Sequence, residues 1–307
     1  MKQTKKQYTK KALTLDEQVS KIQAKGIIIS DASKAKEYLA SIGYYHLGFY
    51  IFPFEKTYPC LNRQRKKEVV SGTTIESIVA LYYFDFDLRN ILNKYLSRLE
   101  LVLRNTILYE MSVKYKNNPA WFVDSNVVSE QFVTVFQQIY NNMRTKPILL
   151  RHHCKYFGAY APAWKTMEYM TLGNVEALYR SLCKNNDKRT ISNRFNEPAI
   201  QTFQSYITAI RETRNACAHG NVLFDMKLSF GIRTGMACSS FPNNTQQNFC
   251  GALKVIDYLL RQVSTNRANE MWNELNNAAR LLYSKVPYIQ PLIESQTGII
   301  IANSNVV

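Results

Sequence analysis

The chain has 307 residues, of which 46% are hydrophobic and 20% charged, so it holds enough apolar material for a sizeable core and global disorder is excluded. Only 11 Gly and 9 Pro exclude collagen-like and low-complexity classes. Lys and Arg number 39 against 23 Asp and Glu, a net charge of +16 that points to a polyanionic partner.

Helix punctuation is frequent along the chain. Thr14 to Glu17 (TLDE) form a capping box, and Gly26 closes that helix. Ser30 or Asp31 caps a second helix that stops at Gly43. The segment 44–54, YYHLGFYIFPF, is interrupted by Gly48 and Pro53 and reads as a short strand or packed loop; its rings suit a core better than base stacking. Residues 55–72 form a polar, basic connector. A second capping box at Thr73 to Glu76 opens a helical pattern to about Lys116, stopped by Asn117-Asn-Pro119. One straight helix of that length would reach roughly 60 Å, so a break is expected near Asp85–Asp87. Helical patterns follow at 127–143, 147–157, 164–184, 187–195, from Glu197-Pro198 onward, and at 249–263 and 267–285. A small hairpin is expected at 221–237 and a loop at 238–248. The expected fold is mainly α, a helical bundle with a smaller N-terminal subdomain. Its divisions are 1–70 (N-terminal subdomain with a basic tail), 71–290 (helical domain) and 291–307 (C-terminal tail).

No stretch approaches the ~18 apolar residues of a membrane span, and no apolar run follows the basic start MKQTKKQYTKK, so neither a membrane partner nor a secretory signal is expected. Six cysteines (60, 154, 183, 217, 238, 250) are scattered without a CxxC pair, which reads as reduced thiols in a cytoplasm. No metal or cofactor is expected. His152-His153-Cys154 lacks the spacing and fourth ligand of a zinc site, and Cys217 reads as a small packed residue.

The chemistry concentrates on the helix that begins near 198. Ile200, Phe203, Ile207 and Ile210 define an apolar seam, and the next seam position is Arg214. Arg211, Asn215 and His219 run beside it at spacing four, and Gly220-Asn221 offers a left-handed helix end. Histidine transfers protons near neutral pH and arginine stabilises charge on phosphate oxygens. That pair suits phosphodiester cleavage of RNA, whose 2′-hydroxyl is its own nucleophile, with no metal. Residues five apart point about 140° from each other on an ideal helix, so a two-fold dimer would complete a composite site. The plainer reading stands beside it: Arg214 as an ion-pair member with Glu100 or Asp85, and His219 as a helix cap.

Arg214-Asn-Ala-Cys-Ala-His219 resembles the R-x4-H motif of HEPN ribonucleases, in the form seen in Abi-like abortive-infection proteins of the AbiD/AbiF group. GYYHLGFY at 43–50 with FPF at 52–54, LYYFDFDLR at 81–89, ELVLR at 100–104, and PAW at 162–164 with TLG at 171–173 resemble further elements of that family, in order, across roughly 13–225. His46 and Ala161 depart from its pattern without removing a residue the chemistry needs. The resemblance implies a HEPN-type helical bundle, a homodimer and metal-independent endoribonuclease activity in phage defence. It is similar to the HEPN domains of RNA-guided type VI CRISPR ribonucleases. Arg214, Asn215 and His219 would be catalytic. Glu100 and Arg104, one turn apart, read from the residues themselves either as a core salt bridge or as packed beside Arg214, and Arg211 is a further candidate to stand behind the motif. Some relatives are associated with a small noncoding RNA, so RNA is the expected partner both as substrate and as cognate regulator; no DNA partner is expected. Two basic clusters, Lys5, Lys6, Lys10 and Lys11, and Arg63, Arg65, Lys66 and Lys67, are either solvated or in contact with phosphates. Two other function classes remain open: a non-catalytic module that binds structured RNA in a defence or toxin–antitoxin system, and a protein-interaction scaffold.

Overall fold

The computed structural model describes residues 9–301; Lys5 and Lys6 lie outside them. Among the described residues it is a helical protein with isolated β-bridges and no strand. Its helices are α1 (Leu15–Gln23), α2 (Ala32–Ile42), α3 (Tyr44–Ile51), α4 (Ile75–Lys114), α5 (Glu130–Met143), α6 (Pro147–His153), α7 (Ala163–Thr166), α8 (Leu172–Ser181), α9 (Asn185–Asn193), α10 (Ile200–Ala218), α11 (Phe249–Val263), α12 (Thr265–Lys285) and α13 (Gln290–Thr297). None of them is long and apolar enough to cross a membrane. The mainly α expectation holds.

Two compact units divide the chain. The first comprises residues 1–86 and 280–289, the second residues 87–279 and 290–307.

In the first unit the local signals act as read. Thr14 Oγ1 accepts from Glu17 N at 3.3 Å while Glu17 Oε2 accepts from Thr14 N at 2.7 Å, a complete capping box. Asp31 Oδ1 accepts from Ser33 N and Lys34 N and opens α2. Segment 44–54 corrects the expectation of a strand or loop: it is a helix followed by a 3-10 turn. Leu47, Tyr50, Ile51 and Phe54 are buried, while Tyr45 and Phe49 face out. Burial on one face outweighs the cost of Gly48, roughly 1 kcal/mol in a helix interior.

The expected break near Asp85–Asp87 is absent, and α4 runs unbroken for 40 residues. Asp85, fully buried, accepts a 2.8 Å hydrogen bond from the Tyr50 hydroxyl, so a residue that suggested interruption is held within the helix by tertiary contact. The division between the units falls inside α4.

In the second unit, α10 is the central element. It packs on α8, α9 and α11, and α11 also packs on α13. From Thr202 to Ile210 it is buried almost all round. Gly251 lets the 3-10 turn at Pro242–Gln247 lie against α11, since a Cβ there would run into the Thr245 carbonyl oxygen. The expected hairpin at 221–237 does not form; that stretch is irregular and pinned by side chains. Ser229 donates its N–H to Glu212, Arg233 to the Ser205 hydroxyl and Met236 to Glu197. Helix α13 was not expected: residues 290–297 lie within what reads as loop and tail, and Ile293 is buried there. The 164–184 pattern is split into α7, a 3-10 turn and α8, with Thr171 capping α8 through Asn174 N at 3.2 Å.

Candidate functional site

Helix α10 delivers Arg214, Asn215 and His219 at its C-terminal end. The apolar seam continues through Ile210 to Thr213 and Cys217, so Arg214 is displaced to the flank. This corrects the expectation that Arg214 sits mid-face: its side chain keeps 37% of its exposure. Its Nε lies 3.4 Å from Glu100 Oε2, which makes Glu100 the partner among the two carboxylates anticipated.

Glu100 serves two arginines. Its Oε1 accepts from Arg104 Nη2 at 3.0 Å, one turn along α4, and the same Nη2 donates to the Met170 carbonyl at 3.0 Å. Arg104 Nε is buried without a hydrogen-bond partner among the described residues. Glu100, Arg104 and Arg214 thus form one charged cluster. The guanidinium of Arg214 is anchored through Nε and reaches solvent, an arrangement suited to an anionic oxygen.

Arg211 stands apart from this cluster. Its Nε pairs with Glu176 of α8, which also accepts from Thr208 Oγ1 and from Arg180 Nε at 2.9 Å. Arg211 therefore fastens α10 to α8.

His219 is exposed and caps the C-terminal end of α10, and its N–H donates to the Asn215 carbonyl at 3.0 Å. Gly220 follows at φ +69°, and Asn221 N donates to the Ala216 carbonyl at 3.0 Å, the pattern of a Schellman motif. The left-handed helix end expected at Gly220-Asn221 is present. Arg89 Nη1 donates to the Asn221 carbonyl at 3.2 Å and ties this end to α4. Nothing local in the sequence marks that bond, because its partners are 132 positions apart. The backbone around His219 is thereby fixed while its ring faces solvent. A ring so placed can exchange protons with a bound substrate.

The other candidates divide. Arg65 makes a bidentate pair with buried Glu55, Nε to Oε2 at 2.6 Å and Nη2 to Oε1 at 2.8 Å, with its guanidinium over the Phe52 ring at 4.5 Å. Arg63, Lys66 and Lys67 are exposed beside it. Lys10 and Lys11 line a surface groove of about 560 Å³ with Lys21, Tyr44 and Tyr45. His152 and His153 turn to separate partners, His152 to Lys165 Nζ at 3.4 Å and His153 Nε2 to the Tyr140 hydroxyl at 2.8 Å.

No curated protein and no solved structure matches the chain. A sequence model of one family, described as Abi-like protein, matches residues 37–225, which runs from within α2 past the end of α10 and includes the whole Glu100–Arg214–His219 region. That match covers more than half of the 307 residues, and the chain belongs to the Abi-like protein family.

Proposed function

We propose that this protein is a HEPN-type endoribonuclease, of the AbiD/AbiF kind, acting in abortive-infection phage defence. The observation that carries the reading is the end of α10: a solvent-reaching Arg214 held by Glu100, and an exposed His219 on a backbone fixed by a helix cap. Family membership supports the defence role. In the proposed reaction the RNA 2′-hydroxyl attacks the adjacent phosphorus as the bond to the 5′-oxygen breaks. The products are a 2′,3′-cyclic phosphate and a 5′-hydroxyl. His219 moves the proton, Arg214 stabilises charge on the non-bridging oxygens, and Asn215 orients phosphate or ring. No metal enters this scheme. The site is composite, built by two copies of the chain in the cytoplasm, and a cognate small noncoding RNA restrains it.

The test is cleavage of labelled RNA in EDTA by wild type, Arg214→Ala and His219→Ala. Each variant should lose at least about 100-fold in rate. Equal cleavage by all three would remove the assignment. The excess of positive charge favours one second reading, a non-catalytic module that holds structured RNA. Tight RNA binding by wild type with no cleavage under any condition would select it.

A further inference from the structure

The stretch from 131 to 167 contains no Asp or Glu in 37 residues, yet carries Arg144, Lys146, Arg151, Lys155 and Lys165. Among the described residues, no carboxylate forms an ion pair with any of these five. Elsewhere in the same unit cations are commonly paired, as with Arg104, Arg180, Arg194, Arg211 and Arg261. Positive charge left uncompensated over so long a stretch raises the local potential and attracts anions.

The same surface exposes aromatic rings. Tyr156, Phe157 and Trp164 are exposed, Phe157 entirely so. They are also interleaved with the cations. The Tyr156 ring stacks on His152 with centroids 5.0 Å apart and planes 27° from parallel, and Lys165 Nζ lies 5.8 Å from the same ring. The loop is a fixed platform: the Tyr140 hydroxyl oxygen accepts from Ala161 N at 2.6 Å, and Thr166 Oγ1 donates to the Ala161 carbonyl at 3.0 Å. Six residues beyond Trp164, the Met170 carbonyl takes the hydrogen bond from Arg104, whose partner Glu100 also holds Arg214. The segment therefore runs from the exposed rings to the candidate site within one unit.

We propose that the surface formed by Arg144, Lys146, Arg151, Lys155, Tyr156 and Phe157 binds single-stranded RNA and leads it toward Arg214 and His219. The cations take phosphates, and the rings take unpaired bases, whose faces are hidden in a duplex. The direction of travel rests on the ribonuclease reading; the binding itself does not.

Binding is measured by fluorescence anisotropy on the full chain carrying His219→Ala, with a labelled 20-nucleotide single-stranded RNA of mixed sequence. Adding Lys146→Gln, Arg151→Gln and Lys155→Gln should weaken binding at least tenfold and flatten the slope of log Kd against log salt by about 2. Adding Tyr156→Ala and Phe157→Ala should weaken it about tenfold with the slope unchanged. A control that removes the same charge at Arg194, Lys227 and Arg267 should keep binding within about threefold. Four results overturn the proposal: unchanged binding by both surface variants, an equal loss by the control, equal affinity for duplex RNA, or adsorption to phosphatidylglycerol vesicles stronger than to RNA. Circular dichroism melting confirms that each variant is folded. Binding that depends on this surface, in a protein that never cleaves RNA, sinks the nuclease reading alone; cleavage and binding indifferent to this surface sink this proposal alone.

Discussion

Glu100 holds two guanidinium groups at once, and this sets what each of them can do. Arg104 is committed to Glu100 and to the Met170 carbonyl, with one nitrogen already unsatisfied. Arg214 is held at one edge and open at the other. Replacing Glu100 with Gln removes the shared charge and leaves both cations less compensated, Arg104 in a mostly buried setting. Glu100→Gln should cost about 1–3 kcal/mol in urea denaturation. It should also lower the cleavage rate about tenfold while changing the RNA Kd less than threefold, since Arg214 is displaced but its charge is kept. An unchanged rate at saturating RNA would show that Glu100 has no positioning role. The motif residues Arg214 and His219 are visible in sequence because they stand close together on one helix, and Glu100 was visible as a plausible partner. The lock of Arg211 onto Glu176 was not, because only the docking of α8 on α10 joins residues 35 apart.

The helices that sequence located best carry caps and a clean periodicity. Helix α11 begins and ends where its pattern does, and α1 and α2 start at their capping residues. The misread elements are those where tertiary contact overrides local preference. Segment 44–54 is helical because one face, with Leu47, Tyr50, Ile51 and Phe54, is buried, and α4 stays continuous because Asp85 finds a hydroxyl 35 residues away. Helix α6 and its following loop bring a pH response. Burial, then the nearby Arg144 and His152, pull the His153 imidazole below the usual histidine range. Burial and Lys165 do the same to His152. A histidine with a lowered folded pKa takes its proton more readily when unfolded. Stability is therefore greatest above the unfolded value of about 6.5 and declines as pH falls through it. Local opening of 153–161 should increase between pH 7.5 and pH 5.5, read as faster amide exchange after correction for intrinsic rates. Replacing His153 with Gln should flatten that response; a wild-type response persisting in the variant would assign it to another group.

At the scale of the molecule, the chain carries more cations than its own carboxylates can pair, distributed over both units. The proposed composite site makes a further prediction. If Arg214 comes from one copy and His219 from the other, mixing Arg214→Ala with His219→Ala should restore activity. Random exchange makes half the dimers mixed, each with one intact site of two, so recovery approaches about a quarter of the wild-type rate. No recovery after unfolding and refolding the mixture together would place both residues of each site in one copy.

Helix α10 is enclosed along its middle turns and becomes accessible again toward the C-terminal end that carries the motif. The enclosing layers are drawn from α8, α9 and α11, the last of which follows α10 by some thirty positions. A ribosome must therefore finish well past residue 219 before the end that carries the motif has walls to stand on. On the proposed ribonuclease reading, an emerging polypeptide would be harmless to its own messenger, and competence would arrive with completion of the fold.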